Sequence, residues 1–362
     1  MSISENKLRS YFPMLRTRSQ ILSDIQASST LSSLFDSWLP EHQEDFLNFC
    51  TGVKGVKMTY DSFFKEVLNP EYVPERLNDF LSVLLKQSVV VLSVLPNDST
   101  RIAAESSLLI TDLVVQLEDG SIANIEIQKI GYHFPGERAA CYSADLLLRQ
   151  YKRARDLYQK NFNYRDIKPV YTIVLFEQSP KAFHDFPNEY LHYVEPESDT
   201  GLKLNLLQKY LFIPLDIFRK TSHNKPIQNK IDAWLTFLSK DEPEDIIKLL
   251  EAYPEFKAMY EDVYNLCLNT ERTMNMFSKE LQILDENTVR YMIDEMQNEI
   301  NSQADTIAAQ ESEIADLEST VSSQENTITG LEDTISSQES TITGLEDTIA
   351  ALKKHIQELE SK

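Results

Sequence analysis

The 362-residue sequence predicts an α/β core followed by a long coiled coil. Three observations carry this reading. From about residue 61 to 218 the apolar patterning runs helix, three strands, helix, strand, with additions, which is the order of a mixed α/β layer. From Ile293 onward a β-branched residue recurs at every seventh position for ten heptads. Hydrophobic content of 42%, with seventeen Phe and sixteen Tyr, is ample for a core, while only eight glycines argue against a glycine-rich nucleotide fold.

The elements follow in order. Thr30 to Leu39 and Glu44 to Phe49 have helical apolar spacing. Asp61-Ser-Phe-Phe-Lys65 opens another helix, and Pro74 to Leu85 is helical with proline in its first turn. Val89 to Leu95 reads as a strand, as do residues 108–117 and 122–128, all rich in Val, Ile and Leu. Glu137 to Gln159 is a long helix, Val170 to Phe176 a buried strand, and Lys209 to Phe218 a further apolar segment. Residues 226–290 are helical again, with Trp234-Leu-Thr-Phe-Leu238 as a core stripe. His184 and His192 fall in a loop rich in Pro, Asp and Glu and read as surface residues.

In the tail, Ile293, Ile300, Ile307, Ile314 and Val321, continuing to Ile356, occupy heptad position a. Position d holds Met296 and then Gln or Leu, as in Gln324, Leu331, Gln338 and Leu345. A fourteen-residue repeat runs through it: QESEIADLESTVSS, QENTITGLEDTISS, QESTITGLEDTIAA. Gly330 and Gly344 sit off the seam and cost only helix propensity. Ile at a with Leu at d favours a parallel dimer, and the interspersed Gln leaves a trimer open. The domains expected are an N-terminal helical segment (1–57), an α/β core (58–220), a helical extension (221–290) and the coiled coil (291–362).

Net charge is −22, which on its face argues against nucleic acid. It is unevenly spread: residues 286–362 hold seventeen acidic and four basic side chains, or −13, leaving −9 for the far longer remainder. A local basic patch is therefore compatible with the total. No apolar run of about eighteen residues is present, so no membrane span is expected. The N-terminus lacks an apolar export segment. Cys50, Cys141 and Cys267 are odd in number and widely spaced, matching neither a zinc site nor a disulfide framework, and a cytoplasmic location is expected.

The most informative stretch is Ser107 to Gln128. Glu118-Asp119-Gly120 fits a three-residue hairpin loop with glycine at the left-handed position. That loop pairs Leu117 with Ser121 and places Asp112 directly opposite Glu126, with Gln128 on the face of Glu126. A two-residue Asp119-Gly120 turn would instead shift the register by one and separate the two carboxylates. Opposed carboxylates repel each other at Cβ separations of about 4.5–5.5 Å. A divalent cation between them removes the repulsion, and Mg²⁺ suits such a set of hard oxygen ligands, with Mn²⁺ as the substitute. The plain alternative is a pair of solvated strand-end acids. Asn124, Glu126 and Gln128 share the face away from Ile125 and Ile127, as the wall of a cleft would.

The following helix carries Arg138, Tyr142 and Arg149 on one face. Arg149 to Arg155 continues as a basic stretch with an interleaved tyrosine. Guanidinium groups suit phosphates, so these residues and Lys65 are candidate nucleic-acid contacts, against the alternative of a solvated helix paired with local acids. The sequence contains no Ser-His-Asp or Cys-His nucleophile set, Walker loop or zinc finger.

The ordered set Tyr60-Asp61-Ser-Phe-Phe-Lys65, Pro74-Glu-Arg-Leu77, Asp112, Asn124-Ile-Glu126-Ile-Gln128, Arg138 with Tyr142, and Ile167 to Val174 resembles the PD-(D/E)XK nuclease family transposases, the Rpn-type recombination-promoting nucleases, over roughly residues 50–290. The resemblance implies a restriction-endonuclease-like αβββαβ core and Mg²⁺-dependent cleavage of DNA phosphodiesters. It places the family's acidic positions on Asp112 and Glu126 and its last polar position on Gln128. Thr111 stands where the motif has proline, and Gln128 where it has lysine. Glutamine brings no positive charge, so more of that task falls to the metal. The function expected is a DNA endonuclease associated with recombination or mobile elements. The competing reading is a binding or scaffold protein that keeps the nuclease fold without turnover and is oligomerised by its tail. An RNA nuclease is a third, since opposed carboxylates and Mg²⁺ do not tell the two sugars apart.

Overall fold

The computed structural model describes residues 7–95, 113–130 and 135–360. The chain divides into two compact units, Met1–Asp294 and Glu295–Lys362.

The first unit begins with four helices, α1 (Lys7–Tyr11), α2 (Arg18–Gln26), α3 (Ser29–Asp36) and α4 (Pro40–Thr51). Thr17 and Gln20 cap α2 reciprocally, and the Ser28 hydroxyl caps α3. α4 starts on Pro40 and stops at Gly52, whose φ of +75° is the left-handed conformation that closes a helix. Helices α5 (Asp61–Val67) and α6 (Pro74–Leu85) lead into the sheet.

Among the described residues the sheet has six strands in the order β1-β2-β3-β4-β6-β5: β1 (Val91–Val94), β2 (Leu113–Leu117), β3 (Ile122–Gln128), β4 (Val170–Phe176), β5 (His192–Val194) and β6 (Gln208–Pro214). β1, β2 and β3 form an antiparallel meander, β3, β4 and β6 run parallel, and β5 pairs antiparallel with β6 at the edge. Helix α7 (Pro135–Tyr158) makes the crossover from β3 to β4. Helices α8 (Leu215–Thr221), α9 (Lys230–Ser239), α10 (Pro243–Ala252), α11 (Phe256–Leu266) and α12 (Thr270–Glu360) follow. The mixed α/β core expected from the sequence is present, with the helix, three strands, helix and strand in the expected order.

Strand alternation sorts the side chains. Ala123, Ile125, Ile173, Leu175, Leu211 and Ile213 point to one face and join a core shared with the N-terminal helices and α9 to α11. The first turns of α12 enter the same core through Met274 and Phe277, whose ring lies 5.2 Å from that of Trp38. The opposite face is covered by α7: Leu146 packs on Val114, Ile122 and Val170, and Ala139 on Val174, Phe176 and Phe212.

Two segments differ from the sequence reading. The apolar run Lys209 to Phe218 divides at Pro214, which has no N–H with which to continue the ladder, into β6 and α8. His192 lies in β5 rather than in a loop, half-buried with its ring 5.1 Å from that of Phe183. Three residues are too few to establish an alternating pattern.

In the second unit the residues from Glu295 to Glu360 are helical. The seam residues are exposed, Ile307 by 55% and Leu345 by 58%. Thr306, Thr320, Thr334 and Thr348 donate their hydroxyls to the carbonyl one turn back, which satisfies them within the helix. No helix among the described residues is long and apolar enough to cross a membrane.

Candidate active site

The β2–β3 hairpin sets the site. Leu117 N–H donates to Ser121 C=O and Gly120 N–H to Leu117 C=O, both at 2.9 Å, closing a three-residue loop. Gly120 takes φ +87°, and the Asp119 carboxylate accepts from Ser121 N–H and Oγ at 2.9 Å. The register is Leu113 with Ile125, Val114 with Asn124 and Val115 with Ala123, as the three-residue loop requires. Asp112, the residue before Leu113, lies outside the described residues, as do the other strand residues expected at 108–111.

Glu126 and Gln128 are both buried, 5% and 4% exposed, on the sheet face beneath α7. Gln128 Nε2 donates to Glu126 Oε1 at 2.9 Å. Among the described residues, Glu126 Oε2 and Gln128 Oε1 have no hydrogen-bond partner. Burial pushes the Glu126 carboxyl up to about 7, against the Gln128 amide and the positive charge of Arg138, which both favour its ionised form. Deeper on the same face Asn124 and its parallel-strand neighbour Thr172 are fully buried, as is Ser143 of α7, and among the described residues their side-chain polar atoms also lack partners. An unmatched polar layer of this kind beside a buried acid is costly and marks a place where water, ion or substrate completes the bonding.

The first two turns of α7 supply the cation. Arg138 donates to Tyr142 Oη at 2.9 Å, Tyr142 is buried, and the Arg138 charge acts on Glu126. Arg149 lies two turns further and pairs with Asp145 at 2.7 Å. Lys65 pairs with Asp61 at 2.8 Å on α5. Glu126, Gln128, Arg138 and Tyr142 thus come together, while Arg149 and Lys65 sit in i,i+4 ion pairs of their own.

Nothing in its sequence context singles out Lys129. Its Nζ donates to the Thr59 carbonyl and lies 2.7 Å from Glu280 Oε1, 3.6 Å from Glu177 Oε2 and 5.0 Å from the Tyr60 ring centroid. A lysine immediately after an E-x-Q triplet is visible in the sequence, but partners so distant along the chain are not.

Among the described residues no group of three His, Cys, Asp or Glu side chains is arranged to hold a metal. The two orphaned oxygens, a carboxylate and an amide carbonyl, are nevertheless the hard donors that Mg²⁺ or Mn²⁺ takes, and a buried carboxyl pushed toward neutrality has a deficit that a cation would fill. The residues present fit a divalent ion.

A SlyX family model matches residues 310–362, within the heptad tail. No curated protein and no solved structure matches the chain. A family model described as PD-(D/E)XK nuclease family transposase matches residues 58–294, which hold the sheet, α7 and the Glu126–Gln128 pair. With well over half of its length covered by that match, the chain belongs to the PD-(D/E)XK nuclease family transposases, a family of nuclease type.

Proposed function

We propose that this chain is a Mg²⁺-dependent DNA endonuclease associated with recombination or mobile elements, with Asp112, Glu126 and Gln128 as its catalytic set. The observation that carries the proposal is the buried Glu126–Gln128 pair, each member of which keeps one oxygen without a partner among the described residues, beside Arg138. Asp112 and Glu126 hold the ion. Bound Mg²⁺, or Mn²⁺, lowers the pKa of a water and neutralises the scissile phosphate. Gln128 fixes Glu126 through its amide N–H and keeps its carbonyl oxygen free to orient the attacking water. Arg138, positioned by Tyr142, provides the positive charge that the glutamine does not. Arg149 and Lys65 are contacts for flanking phosphates, which compete with Asp145 and Asp61 for them.

In this reading the core spans 58–220, with a helical segment (1–57) before it and a helical extension (221–290) after it. The coiled coil (291–362) joins two copies in parallel, or three, and so brings more than one active site to one DNA. The protein works in the cytoplasm, where its three cysteines remain free thiols.

The test is plasmid nicking with Mg²⁺, comparing the full chain with Asp112→Ala and Glu126→Ala, together with thermal melting in Mg²⁺ and in EDTA. Nicking by the wild type alone, and a Mg²⁺-dependent rise in Tm that both variants lose, are the expected results. Equal nicking by all three proteins removes the site. The second reading, a nuclease-fold scaffold, draws support from Gln128 at the lysine position and from Lys129 being engaged by Glu177 and Glu280. A Tm indifferent to Mg²⁺ and Mn²⁺ favours it.

A further inference from the structure

The far end of α7 concentrates positive charge on an otherwise acidic chain. Residues 149–168 hold seven cations and two carboxylates, against a net charge of −22 for the whole. Lys152, Arg153, Arg155, Lys160, Arg165 and Lys168 are exposed, and among the described residues none has a carboxylate within ion-pair distance. One acid that could have neutralised them is occupied: Asp166 caps its own turn through Asn163 N–H at 2.7 Å.

Aromatic rings are interleaved with these cations. Tyr151, on α7, meets Phe162 edge-on at 5.6 Å and lies near-parallel to Tyr164, with centroids 6.2 Å apart and 16° between planes. The Arg155 guanidinium sits 5.7 Å from the Tyr151 ring and 5.8 Å from Phe162, and donates to Tyr151 Oη at 2.9 Å. Phe162 is half-buried and anchors the group, whereas Tyr164 is 73% exposed. Two short turns hold the arrangement: one follows α7 at Gln159–Asn161, and the next, Tyr164–Asp166, is capped by the Asn163 side chain. The outer aromatic is thus held by its neighbours while exposing most of its surface to solvent.

From these observations we propose that the Tyr151–Arg155–Tyr164 patch is a binding site for a single-stranded segment of nucleic acid, distinct from the site at Glu126. Stacking on Tyr164 requires an unpaired base, since a duplex buries the ring faces that an aromatic platform would contact. The unpaired cations take the phosphates on either side of the stacked base. Thirteen residue steps along α7 separate Tyr142 from Arg155, about 20 Å along the helix, so the patch receives strand beyond the scissile phosphate. The inference extends the nuclease reading by giving it a substrate form: DNA with an unpaired flank.

The test measures fluorescence anisotropy with the full chain in EDTA, using a labelled oligo-dT of about 15 nucleotides and a blunt duplex of the same length, within the usual range of single-strand site sizes. The single strand is expected to bind more tightly. Tyr164→Ala weakens it roughly tenfold, as loss of one stacked base does, while Tyr164→Phe retains binding. Arg155→Ala and Lys160→Ala each lower the slope of log Kd against log salt by about 0.7. Tyr164 and Lys160 are exposed, so folding is not at stake in their variants, and a circular dichroism melt checks each. Single-strand binding unchanged in Tyr164→Ala, or a duplex preferred over the single strand, overturns the proposal. Because binding is read without metal, loss on Tyr164→Ala in a protein that nicks no DNA keeps the patch and rejects the nuclease. Nicking with Tyr164→Ala binding unaltered does the reverse.

Discussion

The ammonium of Lys129 and the carboxylate of Glu280 meet at 2.7 Å in the interior, with side chains 3% and 0% exposed. Lys129 directly follows Gln128 at the end of β3, and Glu280 belongs to the first turns of α12. The second Glu280 oxygen accepts from Asp61 N–H at 2.9 Å, so the same carboxylate also holds the start of α5. Burial raises the Glu280 carboxyl even with the lysine beside it, because desolvation outweighs the attraction. The pair ties three separate parts of the chain to the strand end that carries Gln128.

Removing one partner of such a pair leaves a buried charge uncompensated. Lys129→Ala and Glu280→Ala are each expected to lower unfolding free energy by about 3–5 kcal/mol. The double variant Lys129→Met with Glu280→Leu is expected to recover most of that loss, since matched apolar groups need no counter-ion. Urea midpoints of the three proteins decide it. Additive single losses in the double variant would mean the two residues act independently.

Glu126 is expected to make stability fall with pH in metal-free protein. Burial pushes its carboxyl up to about 7 in the folded chain, from an ordinary value of 4.5. Between those values the folded chain binds more protons than the unfolded chain, so unfolding free energy declines as pH rises. The decline starts above about 4.5, is complete once pH passes about 7, and amounts to roughly 3 kcal/mol. Glu126→Gln should flatten this part of the profile and raise the urea midpoint at pH 8 in EDTA. An unaltered profile in that variant would place the titrating group elsewhere.

Which features were legible depends on the distance over which they are determined. The β2–β3 loop, the helix over 137–159 and the strand at Val170–Phe176 came from local patterning, because turn chemistry and apolar runs act within a few residues. The face shared by Asn124, Glu126 and Gln128 followed from strand alternation alone. The orphaned oxygens and the raised Glu126 carboxyl did not, because both arise from the roof that α7 lays over β3. Lys129 with Glu280, and Tyr151 with Tyr164, were hidden for the same reason: they meet only after a crossover, a run of helices or two short turns has closed.

Gly120 offers a direct test of the hairpin that positions Glu126. Its φ of +87° costs a residue with a Cβ about 1–2 kcal/mol. An added methyl would also meet Lys168 Cγ at 3.2 Å, a flexible neighbour that can yield. Gly120→Ala is expected to lose about that amount in urea unfolding, and Gly120→Asn less, because asparagine tolerates the left-handed region. Equal losses for the two variants would show that contact with Lys168, not backbone conformation, sets the cost.

The tail predicts its own partner. Ile300, Ile307, Ile314 and their successors expose more than half of their surface on one stripe, a condition relieved when a second copy covers it. The fourteen-residue period gives this association a register: Gln324 and Gln338 alternate with Leu331 and Leu345 at d. A shift of one heptad would set glutamine against leucine and bury amides without partners, while a shift of two heptads restores like against like. Light scattering should therefore give a dimer mass for the full chain and a monomer mass for Leu331→Asp with Leu345→Asp, with the core's far-ultraviolet melt retained. Gln338→Leu should raise the melting temperature of the tail by relieving one polar layer, and should also weaken discrimination between registers. A monomeric full chain at tens of micromolar would refute the seam as an association surface, since each apolar d layer buried in a dimer contributes on the order of 1.5–3 kcal/mol per leucine.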